Sequence, residues 1–238
     1  MIISSTDALL GVELHPARVV HCTVETSWAA RVVVDVSDCL DVFAYTTPGQ
    51  FVALATAEGE ARWFVISSVP ADLPTVEFLI GGGTEVSDAL TALAAGAPVR
   101  ISVAQGLGYP MATLRGRPVT GFASGTGIAS LRPVFDTLLV EGADATSLTV
   151  YYQDRVRDAG VCEHALTAEL DAWRSAGVHV QCLNDTTGAG DVAAQKWRAS
   201  PVTASAEHLI CGNPVLDASV ESALRAAGVD SSRVHRNY

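Results

Sequence analysis

An antiparallel β-barrel followed by an α/β half built on a parallel sheet is the architecture the sequence predicts, and three observations predict it. Short valine-rich strands, separated by turn residues, fill the first half. From Arg117 onward strands alternate with helices, the pattern of a parallel sheet with crossover connections. The pattern changes near Tyr109 to Gly116, which divides the 238 residues into 1–112 and 113–238.

Taken in order, RVVHCTV and RVVVDVS between Ala17 and Val36 interrupt valine with polar residues and read as antiparallel strands. GQFVALAT, ARWFVISSV, TVEFLIG and APVRISVAQ follow, set apart by Pro48, Gly49, Gly59, Pro70, Pro74 and Gly96. One helix interrupts them, SDALTAL from Ser87 to Leu93, preceded by glycines at 81, 82 and 83. In the second half the strands are PVTGFAS, SLTVYYQ, VHVQCLN and EHLICGN. Between and after them lie helices ASLRPVFDTLLVEG, EHALTAELDAWRSAG, a shorter one near Val192 to Trp197, and DASVESALRAAG.

Composition narrows the function. With 49% hydrophobic residues, 17% charged and a mean hydropathy of +0.29, the chain has surface to bury and is not disordered. A formal charge of -11 argues against nucleic acid as a partner, because non-specific binding there depends on neutralising phosphates with Lys and Arg. No apolar run approaches the roughly 18 residues of a membrane span, and the first residues lack a basic stretch followed by an apolar one, so the expected location is cytoplasmic. Cys22, Cys39, Cys162, Cys182 and Cys211 are scattered without the spacing of a disulfide framework, a zinc site or an iron-sulfur cluster. The six histidines show no ligand spacing either, so no metal is expected.

The segment VTGFASGTGIASL, Val119 to Leu131, carries the chemistry. Gly125-Thr126-Gly127 follows an apolar strand and opens a helix, where backbone N–H groups can face a pyrophosphate unobstructed by Cβ atoms. Such a turn is common by itself. Two more loops join it at the same edge of a parallel sheet: Cys211-Gly212-Asn213-Pro214 after EHLIC, and Tyr151 to Asp158.

With these pieces in order, the chain resembles the ferredoxin-NADP reductase superfamily along nearly its whole length. The matching residues are Pro48-Gly49-Gln50-Phe51, Arg62-Trp63-Phe64-Val65, Glu85-Val86-Ser87, Gly125-Thr126-Gly127-Ile128-Ala129-Ser130, Cys211-Gly212-Asn213 and Tyr238. It is most similar to a stand-alone group of FAD/NAD(P)-binding oxidoreductases in which the family's R-x-Y-S box is eroded, here to Arg62-Trp63-Phe64-Val65. Phe64 keeps an aromatic face without the hydroxyl, and Val65 cannot hydrogen-bond where the family has serine.

The resemblance implies a flavoprotein that uses FAD, with NAD(P)H as co-substrate. It implies flavin contacts from Arg62, Trp63, Phe64 and Val65, and from Gly83, Thr84, Val86 and Ser87. Arg62 and Ser87 with the adjacent helix start would hold the flavin pyrophosphate from two sides. Dinucleotide contacts fall to Gly125, Thr126, Gly127, Ile128, Gly212 and Asn213, with Arg155 where NADP-preferring relatives carry a 2′-phosphate ligand. Asp154 beside it would disfavour that phosphate. Cys211 would lie near the nicotinamide and Tyr238 would stack on the flavin, as the catalytic pair. The implied activity is hydride transfer from nicotinamide to flavin N5, and then electron transfer to a separate, unidentified acceptor, a small oxidant or a redox protein. The alternative is a redox-inactive or sensory dinucleotide-binding protein that works through a partner, motivated by Val65, Ser130 and Asn213.

Overall fold

The computed structural model describes residues 11–157, 160–187, 189–198 and 205–237. The chain divides into two compact units, residues 11–109 with Asn237, and Pro110–Arg236.

The first unit contains β1 (His15–Thr26), β2 (Ala29–Asp35), β3 (Phe51–Thr56), β4 (Arg62–Val65), β5 (Thr75–Gly81) and β6 (Pro98–Ile101). They form one antiparallel sheet in the order β4-β3-β6-β1-β2-β5. Its two ends meet just beyond β4, where Ser67 N–H donates to Glu77 O at 2.8 Å and Glu77 N–H donates to Ser68 Oγ at 3.0 Å. The sheet thus curls into the barrel that the strand pattern predicts. Valines at alternate positions cause this: Val32 and Val34 of β2 turn inward with Val52 and Leu54 of β3 and Phe78 and Ile80 of β5. All six side chains are fully buried.

Two short helices complete the barrel. Leu40–Phe43 (α1), too brief to leave a helical period in the sequence, buries Phe43 and ends at Ala44 with φ 51. Glu85–Thr91 (α2) presses Val86 and Leu90 into the core. This helix starts earlier than the sequence predicts. Thr84, not Ser87, is the N-cap, and Ser87 is the third helical residue of a capping box. The Pro48-Gly49-Gln50 turn is also structural: Gln50 Oε1 accepts from Thr46 N–H and Thr47 N–H while Nε2 donates to Gly106 O. Gly49, at φ +93, sits where a Cβ would lie 2.7 Å from the Tyr109 ring. Asn237 belongs with this turn, its Nδ2 donating to Gly49 O at 3.4 Å.

In the second unit a short helix Met111–Leu114 (α3) leads to β7 (Val119–Ser124), α4 (Ile128–Val140), β8 (Leu148–Arg155), α5 (Thr167–Ala176) and β9 (His179–Asp185). Helix α6 (Val192–Arg198), β10 (Glu207–Cys211), α7 (Pro214–Ala226) and β11 (Val234–His235) follow. The five strands are parallel in the order β11-β10-β7-β8-β9. One face is covered through Gly121 of β7, where a Cβ would lie 2.8 Å from Leu131 of α4, and through Phe135 of α4 against Trp173 of α5 at 5.2 Å. On the other, Phe122, Tyr151 and Ile210 pack against Ala194 and Trp197 of α6 and Leu216 and Val220 of α7.

Helix boundaries differ from the sequence reading for local reasons. Leu166 adopts a left-handed φ of 58, so α5 begins at Thr167 rather than Glu163. Helix α7 begins at Pro214 because Asn213 caps it, its Oδ1 accepting from Leu216 N–H at 2.9 Å, and proline suits the first helical position. Asn213→Ala is expected to cost about 1 kcal/mol of stability, read as a lower urea midpoint at an unchanged denaturant slope.

No helix among the described residues is long and apolar enough to cross a membrane.

Candidate functional site

The order of the parallel sheet locates the site before any motif does. From β7 the chain proceeds to β8 and β9 on one side and later to β10 and β11 on the other, so the direction of winding reverses between β7 and β10. In open parallel sheets ligands bind outside the C-terminal ends of the strands at that reversal. The residues standing there are Ser124-Gly125-Thr126-Gly127 after β7 and Cys211-Gly212-Asn213 after β10.

These two loops are packed backbone to backbone. A Cβ on Gly127 would lie 2.1 Å from Cys211 O, and a Cβ on Gly212 would lie 2.2 Å from Ser124 Oγ. Ser124 Oγ accepts from Asn213 N–H at 3.0 Å, tying the end of one strand to the start of the other strand's helix. Ser130 contributes from α4, where its hydroxyl donates to Gly127 O at 3.0 Å and also hydrogen-bonds the Cys211 thiol. Gly125 differs from its neighbours: it has φ +53 and nothing within 4 Å of its Cβ position, so its backbone faces open space. The turn Gly125–Gly127 and α4 behind it have no side-chain cap, whereas α2 and α7 are capped by Thr84 and Asn213. Ile128 N–H is engaged by Thr126 O, so it is the open glycine turn ahead of α4, with the helix end behind it, that favours an anion.

Cys211 is 5% exposed, and burial pushes its thiol pKa up despite the bond from Ser130. The buried thiol stands at the floor of the turn and is held in its neutral form. At the end of β8 the structure separates two residues that the sequence sets side by side. Asp154 is buried, its Oδ1 accepting from Arg155 N–H at 2.7 Å and Arg157 Nη2 at 3.1 Å, and burial raises its carboxyl pKa. Arg155 is exposed. The carboxylate expected to disfavour a phosphate there is turned into the protein, while the Arg155 side chain is exposed.

Gln153, 2% exposed, went unnoticed in the sequence. Its Nε2 donates to Gly190 O and its Oε1 accepts from Ala193 N–H, both at 2.8 Å, while Asp185 Oδ2 accepts from Gly190 N–H at 2.7 Å. Together they hold the start of α6 against β8 and β9. No pattern of spacing marks such a residue; only the register, which sets Gln153 beside Ser124, brings it to this edge.

In the barrel unit, the pairing of β4 with β3 puts Arg62 and Phe64 on the face of Leu54 and Val52, and Trp63 and Val65 on the face of Ala53 and Phe51. Phe64 is half-buried against the barrel core and Arg62 is exposed. Trp63 meets Phe51 edge to face at 5.2 Å, and its buried Nε1–H has no hydrogen-bond partner among the described residues. Ser67, 1% exposed, likewise has an unpartnered hydroxyl, while Ser68 Oγ is taken by Glu77 N–H. Gly83 is open at φ +102, whereas Thr84, Val86 and Ser87 are engaged in the capping box and the core. Tyr238 lies outside the described residues.

The architecture occurs in known proteins. A ferredoxin-NADP+ reductase from Plasmodium falciparum superposes with a TM-score of 0.75 at 14% identity, covering 98% of this chain and 97% of that one. The FAD/NAD-binding domain of nitric oxide dioxygenase from Vibrio cholerae gives a TM-score of 0.73 at 17% identity, covering 94% and 98%. A ferredoxin NADP+ reductase from Neisseria gonorrhoeae, solved with bound FAD and NADP, gives 0.71 at 14% identity, covering 94% and 99%. No family model matches the sequence, and no curated protein matches it. The chain has the two-unit fold of the ferredoxin-NADP reductases.

Proposed function

We propose that this chain is a flavin-dependent NAD(P)H oxidoreductase, in which the parallel-sheet unit binds the nicotinamide dinucleotide and the barrel unit binds the flavin. The observation that carries this reading is the β7/β10 edge. Two glycines there let backbones touch, a third opens its backbone to solvent, and helix α4, which has no side-chain cap, starts behind it. The residues fit a dinucleotide, since an open glycine turn at a helix start suits a pyrophosphate. A flavin ring would find Phe64 on the Val52–Leu54 face of β4, the unpartnered Trp63 Nε1–H on the opposite face, and the unpartnered Ser67 Oγ–H just beyond the strand.

A bound flavin supplies the redox chemistry, accepting two electrons as a hydride. The chain's own residues do the positioning. Gly125, Thr126, Gly127 and Ile128 line the place of the pyrophosphate, with the backbone open at Gly125, and Gly212 and Asn213 bring backbone close to the nicotinamide end. Cys211, neutral and buried, closes that end against water without reacting. Arg155 offers a cation to the adenosine half, and Val65 offers no hydrogen bond, so any polar contact near it falls to Ser67. Electrons then pass to a separate acceptor. Neighbours of this fold are reductases solved with FAD and NADP, which supports the assignment of cofactor and co-substrate. The test is the visible spectrum of the protein mixed with flavin, before and after NADH or NADPH is added without oxygen. Bleaching of the flavin band is expected; a band that persists with both nucleotides overturns the reading.

A further inference from the structure

No spacing in the sequence marks Cys162 and Cys182 as partners, yet the fold brings them to one patch of the parallel sheet. Cys182 of β9 pairs with Tyr152 of β8, and Asn184 with Asp154, so these four side chains lie on one face. It is the face opposite to Tyr151, which packs with Ala194 and Trp197 of α6 and Leu216 of α7. The segment between β8 and α5 crosses back over it. Cys162 Sγ donates to Asp154 O at 3.2 Å, and His164 Nε2 hydrogen-bonds Leu183 O, the carbonyl next along from Cys182, at 3.2 Å. The His164 ring also meets Tyr152 edge to face at 5.0 Å. Two residues of the segment are thus fastened to either side of the β8/β9 seam where Cys182 stands.

Charge shows that the two sulfurs are neighbours. Burial raises the Cys162 thiol pKa and the Asp154 carboxylate adds to this; Arg157 opposes the rise, and negative charge on Cys182 adds to it again. The thiols differ in what they touch. Arg174 of α5 donates through Nη2 to Cys182 Sγ at 3.0 Å and through Nη1 to Asp171 Oδ1 at 2.6 Å. A guanidinium beside a sulfur is the setting of an attacking thiol. Both residues are half-buried, within reach of a small reagent, whereas Cys39 and Cys211 are buried. No group of three or more His, Cys, Asp or Glu among the described residues is placed to hold a metal, so the pair reads as thiols and not as metal ligands.

We propose that Cys162 and Cys182 form a reversible thiol–disulfide site, with Cys182 as the attacking thiol, Cys162 as the resolving one and a small-molecule disulfide as the oxidant. Cys182 gives its proton to solvent and its sulfur attacks one sulfur of the reagent RS–SR. That S–S bond breaks, the first RS⁻ leaves and takes up a proton, and a mixed disulfide remains on Cys182. Cys162 then gives up its proton and attacks Cys182 Sγ, which expels the second RS⁻. Two protein thiols are oxidised and one reagent disulfide is reduced to two thiols. The product ties the β8–α5 segment to β9 and exchanges the contacts of the sulfurs with Asp154 O and Arg174 for a covalent bond. The site is separate from hydride transfer and does not depend on the oxidoreductase reading.

The experiment treats the folded protein with glutathione disulfide, alkylates the remaining thiols and maps all five cysteines by mass spectrometry of the digest. The expected product is a peptide pair joined through Cys162 and Cys182, returned to two free thiols by dithiothreitol. Cys39 and Cys211 are expected to stay unmodified by glutathione, which also reports that the protein remained folded. Cys162→Ser is expected to stop at one glutathione on Cys182, and Cys182→Ser to leave Cys162 a free thiol. Arg174→Gln is expected to slow the first step about threefold, because loss of thiolate is partly offset by the stronger nucleophile that remains. Glutathione on both cysteines without a link, a link that involves Cys22, or five free thiols after the treatment overturns the proposal. A rate in Arg174→Gln equal to that of the wild type overturns the assignment of Cys182 as the attacking thiol.

Discussion

Gly127→Val is expected to abolish nicotinamide dinucleotide binding and to destabilise the parallel-sheet unit by about 3 kcal/mol or more, the range of overpacking against atoms that cannot yield. The backbone at Gly127 is ordinary, with φ -60, so conformational freedom is not why glycine is there. Space is the reason. The first added carbon would lie 2.1 Å from Cys211 O, 2.6 Å from Cys211 C and 3.0 Å from Gly212 Cα, all main-chain atoms of the neighbouring loop. Relief requires β7 and β10 to part at their C-terminal ends, which also breaks the bond from Asn213 N–H to Ser124 Oγ and misplaces the start of α4. Flavin binding, which belongs to the barrel unit, is expected to persist. Isothermal titration of the variant with NADPH and with riboflavin checks this, and equal loss of both ligands contradicts the division of labour between the units.

Stability is expected to fall by about 3 kcal/mol between pH 6.5 and pH 4 through one residue, His208. Its ring is fully buried in β10 between Phe122 and Trp197, and neither nitrogen has a hydrogen-bond partner among the described residues. Burial is the main cause that pushes its pKa down to about 4; the nearby Glu207 carboxylate opposes this, and His235 and Arg233 add to it. The sign follows from proton counting. The unfolded chain protonates His208 below about 6.5 and the folded chain only below about 4, so acid favours the unfolded state throughout that interval. Above pH 6.5 the penalty is absent, and below pH 4 it grows no further. Glu207 acts lower on the scale: burial raises its pKa, but hydrogen bonds from His235 and Arg117 more than reverse this, so its contribution is lost only below the usual carboxylate range. His208→Phe is expected to flatten the stability profile between pH 6.5 and 4, measured by urea denaturation at successive pH values. A profile as steep as that of the wild type contradicts the assignment.

Periodicity carried most of the fold, because each barrel strand buries alternate residues and each crossover helix one face. It failed where a single residue overrides propensity. Leu166 in a left-handed conformation delays α5, Asn213 and Pro214 advance α7, and the Thr84 cap starts α2 ahead of Ser87. Strand β11, with two residues, owes its existence to pairing with β10 and leaves no trace of its own in the sequence. At the site, the glycines at 125, 127 and 212 were legible because close backbone approach demands them. Ser124, Ser130 and Gln153 were not, since ordinary polar residues gain their roles from register and from helix packing. The sequence offers Ser130 as a ground for the redox-inactive alternative, and its bonds to Gly127 O and the Cys211 thiol give it a structural role instead of that signal. The inward turn of Asp154 and the bond from Gly83 N–H to Asp88 Oδ1 are likewise side-chain choices that neighbouring residues in a string cannot reveal.

The central proposal, that this chain transfers a hydride from the nicotinamide C4 to a flavin, is tested by stereochemistry. The protein is supplied without oxygen with riboflavin and with NADPH carrying deuterium on one face of C4 or on the other, and the NADP+ formed is analysed by mass spectrometry. A site that fixes the ring removes hydrogen from one face only, so one substrate is expected to yield NADP+ free of deuterium and the other NADP+ that retains it. Equal retention from both substrates, or no NADP+ above the rate of the mixture without protein, contradicts the account.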